Sequence, residues 1–213
     1  MKKIFFLLMF PFFLKAQKNY APLLDHYMQA AVKVNQFTGS VLIAKGGNII
    51  YQKTFGTIDY ANTKLLDSNS MFEIGKITEG FTAAGILLLR DKGKLTLDDK
   101  ITKYFPELPY SNVTIKHLLT HTSGVPDYFD ALMHGKWDTG KLATFADIIQ
   151  RMAAAKIPLA WKPGEKWDGQ YYYTEFPLLG DIIEKISGQT YADFMQEKIF
   201  TPLHLQHTKV FVE

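Results

Sequence analysis

The sequence predicts an α+β chain: an N-terminal β-hairpin followed by a mostly helical region. Two short β-rich runs, 39–44 and 48–55, are joined by Lys45-Gly46-Gly47, and glycines there allow the positive φ that a tight hairpin needs. After Phe72 the signals are helix caps and helical spacing, with no alternation of strand and helix that would build a parallel sheet.

A helix precedes the hairpin. Leu23, Leu24, Tyr27, Met28, Ala31 and Val34 recur at helical spacing between Tyr20 and Gln36, with Asp25, Gln29 and Lys33 opposite, so one stripe is expected to face inward. After the hairpin, Ala83 to Leu89 carries no polar side chain, and a helix apolar all round is expected to be buried. Its first turn holds Lys76 and Glu79, three apart and therefore on one face. Charges on a buried helix are costly unless paired or used, so chemistry is sought there. Gly93 is the expected C-terminal cap.

Thr114 caps a short helix over 113–120. The stretch 125–141 shows no period and reads as a surface loop. Thr144 with Asp147 and Thr190 with Asp193 form capping-box patterns that start helices near 145–156 and 191–200. A further helix is expected from Pro177 to Gly188. Residues 17–213 are read as one domain.

Composition narrows the function classes. Lys2 and Lys3 precede an apolar run from Ile4 to Leu14, and Ala16 is a candidate cleavage point. Residues 1–16 therefore read as a signal peptide for a secreted or periplasmic protein, with a retained anchor as the alternative. The run is shorter than the ~20 residues a bilayer span needs, and no later stretch is long enough. Without those residues and their three lysines, the formal charge falls from +3 to zero. Nucleic-acid binding is not expected, because no basic patch remains. The absence of cysteine excludes disulfides and thiolate chemistry.

Phe72-Glu73-Ile74-Gly75-Lys76-Ile77-Thr78-Glu79-Gly80-Phe81-Thr82 resembles the nucleophile helix of the β-lactamase-related serine hydrolases, which include class C-type β-lactamases, penicillin-binding-protein-like D-Ala-D-Ala carboxypeptidases and esterases. The resemblance continues through Leu97-Asp98-Asp99, His117-Leu118-Leu119-Thr120-His121-Thr122-Ser123-Gly124, Pro163-Gly164-Glu165-Lys166-Trp167, Leu178-Leu179-Gly180 and Pro202-Leu203. It implies a β-lactamase/transpeptidase-like fold, incomplete at the C-terminus, and a β-lactam, cell-wall D-Ala peptide or ester as ligand, with no cofactor.

In that family a Ser is acylated and a Lys one turn later takes its proton. Here Lys76 stands in the Ser position and Glu79 in the Lys position. A lysine with a carboxylate one turn away is expected to stay protonated and be a poor nucleophile. The pair reads as an ion pair in an inactive site, as an anion site in which Lys76 holds a carboxylate, or as part of a rearranged catalytic site.

The family's Tyr-x-Asn element falls on Tyr171-Tyr172-Tyr173, with Tyr171 in the tyrosine position and Tyr173 in the asparagine position. These tyrosines read equally as packing. His121 and Ser123 read as turn and packing residues, because residues two apart do not face each other on a helix. His117 and His121 have a spacing able to bind a metal, but no third ligand completes it, and no metal site is expected. The hairpin's unpaired edges could pair with another chain.

Overall fold

The computed structural model describes residues 19–34, 36–58, 61, 63–133, 140–167 and 173–211. The chain divides into two compact units, one ending at Ser70 and one beginning at Met71.

In the first unit, helix α1 (Ala21–Lys33) precedes strands β1 (Gly39–Lys45) and β2 (Asn48–Phe55), which pair antiparallel. Gly46 and Gly47 both have positive φ, as the two-residue turn requires. The register slips between Ile43 and Ala44, a bulge at Ile50. The stripe expected on α1 is rotated. Leu24, Met28 and Ala31 are half-buried, while Leu23 and Tyr27 are exposed. Asp25 faces the hairpin instead, accepting from Lys53 at 2.7 Å and Tyr51 at 3.0 Å. A charge pair to β2 sets the helix face where hydrophobicity alone would have chosen Leu23.

The second unit is helical. A 3₁₀ turn (Gly75–Ile77) leads into α2 (Thr78–Asp91), and α3 (Ile115–Leu119), α4 (Tyr128–Met133), α5 (Phe145–Ala155), α6 (Glu175–Ser187) and α7 (Tyr191–Met195) follow, α7 continuing as a π-turn to Phe200. Helix α6 is the hub, in contact with α2, α3, α5 and α7. Leu178, Leu179, Ile182 and Ile183 are fully buried in a core with Ile86, Phe105, Ile115, Leu118, Met152 and Met195. Gly180 permits the α5 crossing, since a Cβ there would sit 2.5 Å from the Phe145 ring.

Three expectations change in this unit. Helix α2 buries one stripe, Thr82, Gly85, Ile86 and Leu89, while Ala84 is exposed and Leu87 and Leu88 are half-buried. The apolar composition is real, but α6 and α7 cover just one side. Within 125–141, α4 forms after an Asp127 side chain that accepts from the Phe129 N–H at 2.9 Å. Helix α6 begins at Glu175, two residues before Pro177, because proline is tolerated in a first turn. The Thr144–Asp147 box forms in both directions, whereas at Thr190 the cap accepts from the Asp193 N–H. Gly93 ends α2 in the left-handed region.

Candidate functional site

The N-termini of α2 and α6 meet the C-terminal end of α3. Helix N-termini favour anions and C-termini favour cations. The side chains follow that rule: Glu79 stands in the first turn of α2, Glu175 in the first turn of α6, and His121 just beyond α3.

Local hydrogen bonds fix each of them. The buried Thr174 hydroxyl donates to the Pro126 carbonyl at 2.7 Å, tying the start of α6 to the loop after α3. Ser123 donates to Glu175 Oε1 at 2.9 Å and accepts from the Val125 N–H at 3.1 Å. His121 leaves the helix with φ 54°, which swings its ring between α2 and α6 and against Phe176, 5.2 Å away. Gly124 has φ 70°, and a Cβ there would lie 2.3 Å from the Trp161 carbonyl oxygen.

The result is a line of alternating charge. Lys76 Nζ is 3.5 Å from Glu79 Oε1. Glu79 Oε2 is 3.3 Å from His121 Nε2, and His121 Nδ1 is 3.7 Å from Glu175 Oε2. Exposure falls along the line: the Lys76 side chain is 37% exposed, Glu79 22%, His121 14% and Glu175 2%. The inner end is therefore the part removed from solvent screening. His121 Nδ1 and Glu175 Oε2 face each other without a hydrogen-bond partner among the described residues. The Glu175 carboxylate raises the pKa of His121 above its ordinary value, burial opposes this, and Glu79 adds to the rise.

Lys76 also lies under the Tyr173 ring, 4.6 Å from its centroid, a cation–π distance. Tyr173 is 44% exposed and meets Phe129 edge-on, with Phe129 stacked on Tyr128. The structure thus brings together Lys76, Glu79 and Tyr173. Tyr171 lies outside the described residues.

The turn and packing roles read for His121 and Ser123 hold, with His121 at φ 54° against Phe176 and Ser123 accepting from the Val125 N–H, but they leave out the partner the two share. They do not bond each other, as their spacing requires, but both contact Glu175. Nor do the two histidines form a metal pair: His117 Nδ1 accepts from the Thr114 N–H at 3.2 Å, while His121 points to Glu79 and Glu175. Among the described residues no group of three or more His, Cys, Asp or Glu is placed to hold a metal. The sequence does carry a signal for Glu175, an acidic residue opening a helix whose next five residues, Phe176 to Gly180, are apolar.

The Beta-lactamase family profile matches residues 24–213. The chain belongs to the β-lactamase family. It is 41% identical over 177 residues to penicillin-binding protein 4* of Bacillus subtilis (strain 168), covering 83% of this chain and 39% of that protein. Two solved structures share the fold. A penicillin-binding protein from Bacillus halodurans superposes with a TM-score of 0.75 at 29% identity, over 87% of this chain and 56% of that one. The D-amino acid amidase of Ochrobactrum anthropi SV3, complexed with L-phenylalanine amide, gives 0.68 at 26% identity, over 86% and 52%. The chain thus spans about two fifths to somewhat over half the length of these relatives.

Among the described residues no helix is long and apolar enough to cross a membrane.

Proposed function

We propose that the chain is an exported β-lactamase-family protein that does not carry out serine acyl transfer and instead binds a carboxylate-bearing ligand, such as a penicillin or the C-terminus of a cell-wall peptide. The observation that carries this reading is the Lys76–Glu79 pair at 3.5 Å, standing where the family resemblance implies Ser and Lys. Lys76 has no hydroxyl to be acylated, and Glu79 has no amine to take a serine's proton as the family's lysine does. The pair does offer a cation for an anionic ligand. The half-exposed Tyr173 ring next to it supplies an apolar face, and pockets combine such faces with a few polar groups. Export rests on the N-terminal Lys2–Ala16 pattern.

Intact mass spectrometry of the folded chain, with a fluorophosphonate and with benzylpenicillin, tests the loss of acyl chemistry. No adduct is expected. A stoichiometric adduct would show a surviving nucleophile and favour a rearranged, active hydrolase.

A second role is supported by the hairpin. Among the described residues β1 and β2 pair with each other alone, and Leu42 and Ile49 are more than half exposed. Such an edge can add a strand from a partner. A monomer at all concentrations in size-exclusion chromatography would argue against self-pairing.

A further inference from the structure

The charge line from Lys76 to Glu175 joins a surface cation to a buried carboxylate through one titratable ring. We infer that proton occupancy of His121 governs anion binding at Lys76, so that a carboxylate ligand binds together with a proton. This deepens the ligand-binding reading above and rests on it.

The argument starts at the buried end. Glu175 is 2% exposed, with one oxygen satisfied by Ser123 and the other facing His121 Nδ1. A buried carboxylate needs a compensating charge, and His121 is the cationic group placed to give it. When both ring nitrogens carry protons, each points to a carboxylate, Nδ1 to Glu175 and Nε2 to Glu79. Glu79 is then shared between two cations, His121 at 3.3 Å and Lys76 at 3.5 Å. A ligand carboxylate arriving at Lys76 leaves Glu79 in the hold of His121, at little cost.

Loss of the His121 proton reverses this. Glu79 no longer has a cation on its inner side and turns to Lys76, so an incoming carboxylate must displace it. By linkage, an anion on Lys76 frees Glu79 to lean on His121 and strengthens its hold on the proton. The groups facing His121 are Glu79 on α2, Lys76 on the preceding 3₁₀ turn and Glu175 on α6, while Phe176 contributes an uncharged ring. Both carboxylates favour the protonated ring and Lys76, the furthest along the line, opposes it. His121 acts here as a positioning residue, since the ligand touches Lys76.

The test is titration calorimetry with benzylpenicillin, whose carboxylate stays ionised throughout, from about pH 5 to about pH 9 in buffers of different ionisation enthalpy. Affinity is expected to fall by up to about tenfold per pH unit above the His121 midpoint, with proton uptake on binding. The His121 imidazole resonances should titrate at a higher midpoint when penicillin is present. His121→Asn tolerates the left-handed backbone, and combining it with Glu175→Gln removes the buried charge, so this pair keeps the test valid if the single variant unfolds. Its binding should not vary with pH. Affinity that is flat with pH in the unmodified chain, or an unchanged slope in the double variant, would overturn the inference, whereas absence of binding at every pH would overturn the ligand-binding reading beneath it. A covalent penicillin adduct would instead overturn the non-acylating function itself, and the mass spectrum separates the two failures.

Discussion

The Ser123 hydroxyl reaches across 52 residues of sequence to donate to Glu175 at 2.9 Å, with both side chains out of contact with water. This bond holds the first residue of α6 against the turn after α3, and so sets the distance from Glu175 to His121. Ser123→Ala leaves neither oxygen of this buried carboxylate with a hydrogen-bond partner among the described residues. A hydrogen bond to a charged group contributes about 1.5–3 kcal/mol, and urea unfolding should show a loss in that range. An unchanged midpoint would mean that Glu175 finds another partner.

Gly124 carries two demands at once, a left-handed φ and a backbone contact with Trp161. Gly124→Ala would place a methyl carbon 2.3 Å from a carbonyl oxygen, so the loop must move. The Ala160 N–H bond to the Gly124 carbonyl, 2.8 Å, would be strained with it. Destabilisation of about 3 kcal/mol or more is expected, beyond the usual ~1 kcal/mol of a point substitution. Thermal unfolding checks it, and a shift of a degree or less would contradict the geometry.

The two histidines near α3 should pull stability in opposite directions with pH. Burial lowers the pKa of His117, with Lys116 adding to it, and its Nδ1 must be unprotonated to accept from Thr114. Its contribution is present above the ordinary value of 6.5 and is lost as pH falls through the lower folded value. His121 is shifted upward, mainly by Glu175. Its contribution is full below 6.5 and is lost as pH rises through the higher folded value. His117→Gln should therefore make stability less sensitive to acid, and His121→Asn less sensitive to mild alkali. Chemical denaturation across pH would show the two variants bending away from the parent at opposite ends. The same bend in both would refute the assignment.

Caps and glycines made much of this fold legible in the sequence. The hairpin turn at Gly46-Gly47, the cap at Thr114, the box at Thr144 and the stop at Gly188 are local devices, set by residues within a few positions of one another. The family frame around Lys76 and Glu79 was legible for the same reason. What escaped depends on contacts distant in sequence. Asp25 turns α1 toward Lys53, 28 residues on. Likewise, His121 and Ser123 meet through Glu175, which no spacing rule connects to them. Helix α4 shows no period because six residues are too few for one, although Asp127 before it is a start signal.

Placing the Ser and Lys of the family resemblance at positions 76 and 79 is not expected to raise hydrolysis much. In Lys76→Ser with Glu79→Lys, the new lysine would stand where Glu79 now meets His121 at 3.3 Å, placing an ammonium against a ring whose pKa Glu175 raises. Like charges at that distance repel, so the lysine side chain would be pushed away from the place where it could serve the new serine. Tyr173 would still occupy the asparagine position of the resemblance, offering a phenol where an amide would bind substrate. Hydrolysis of a chromogenic cephalosporin and of an aryl ester is expected to stay within about tenfold of the parent, a small step against the ≥10⁶-fold accelerations typical of enzymes. Adding Glu175→Gln tests the cause, because it removes the carboxylate that raises the pKa of His121 most. A rise in turnover in this triple variant, and none in the double, would place the block at the Glu175–His121 pair. Strong turnover in the double variant alone would show that this pair does not hold the site inactive.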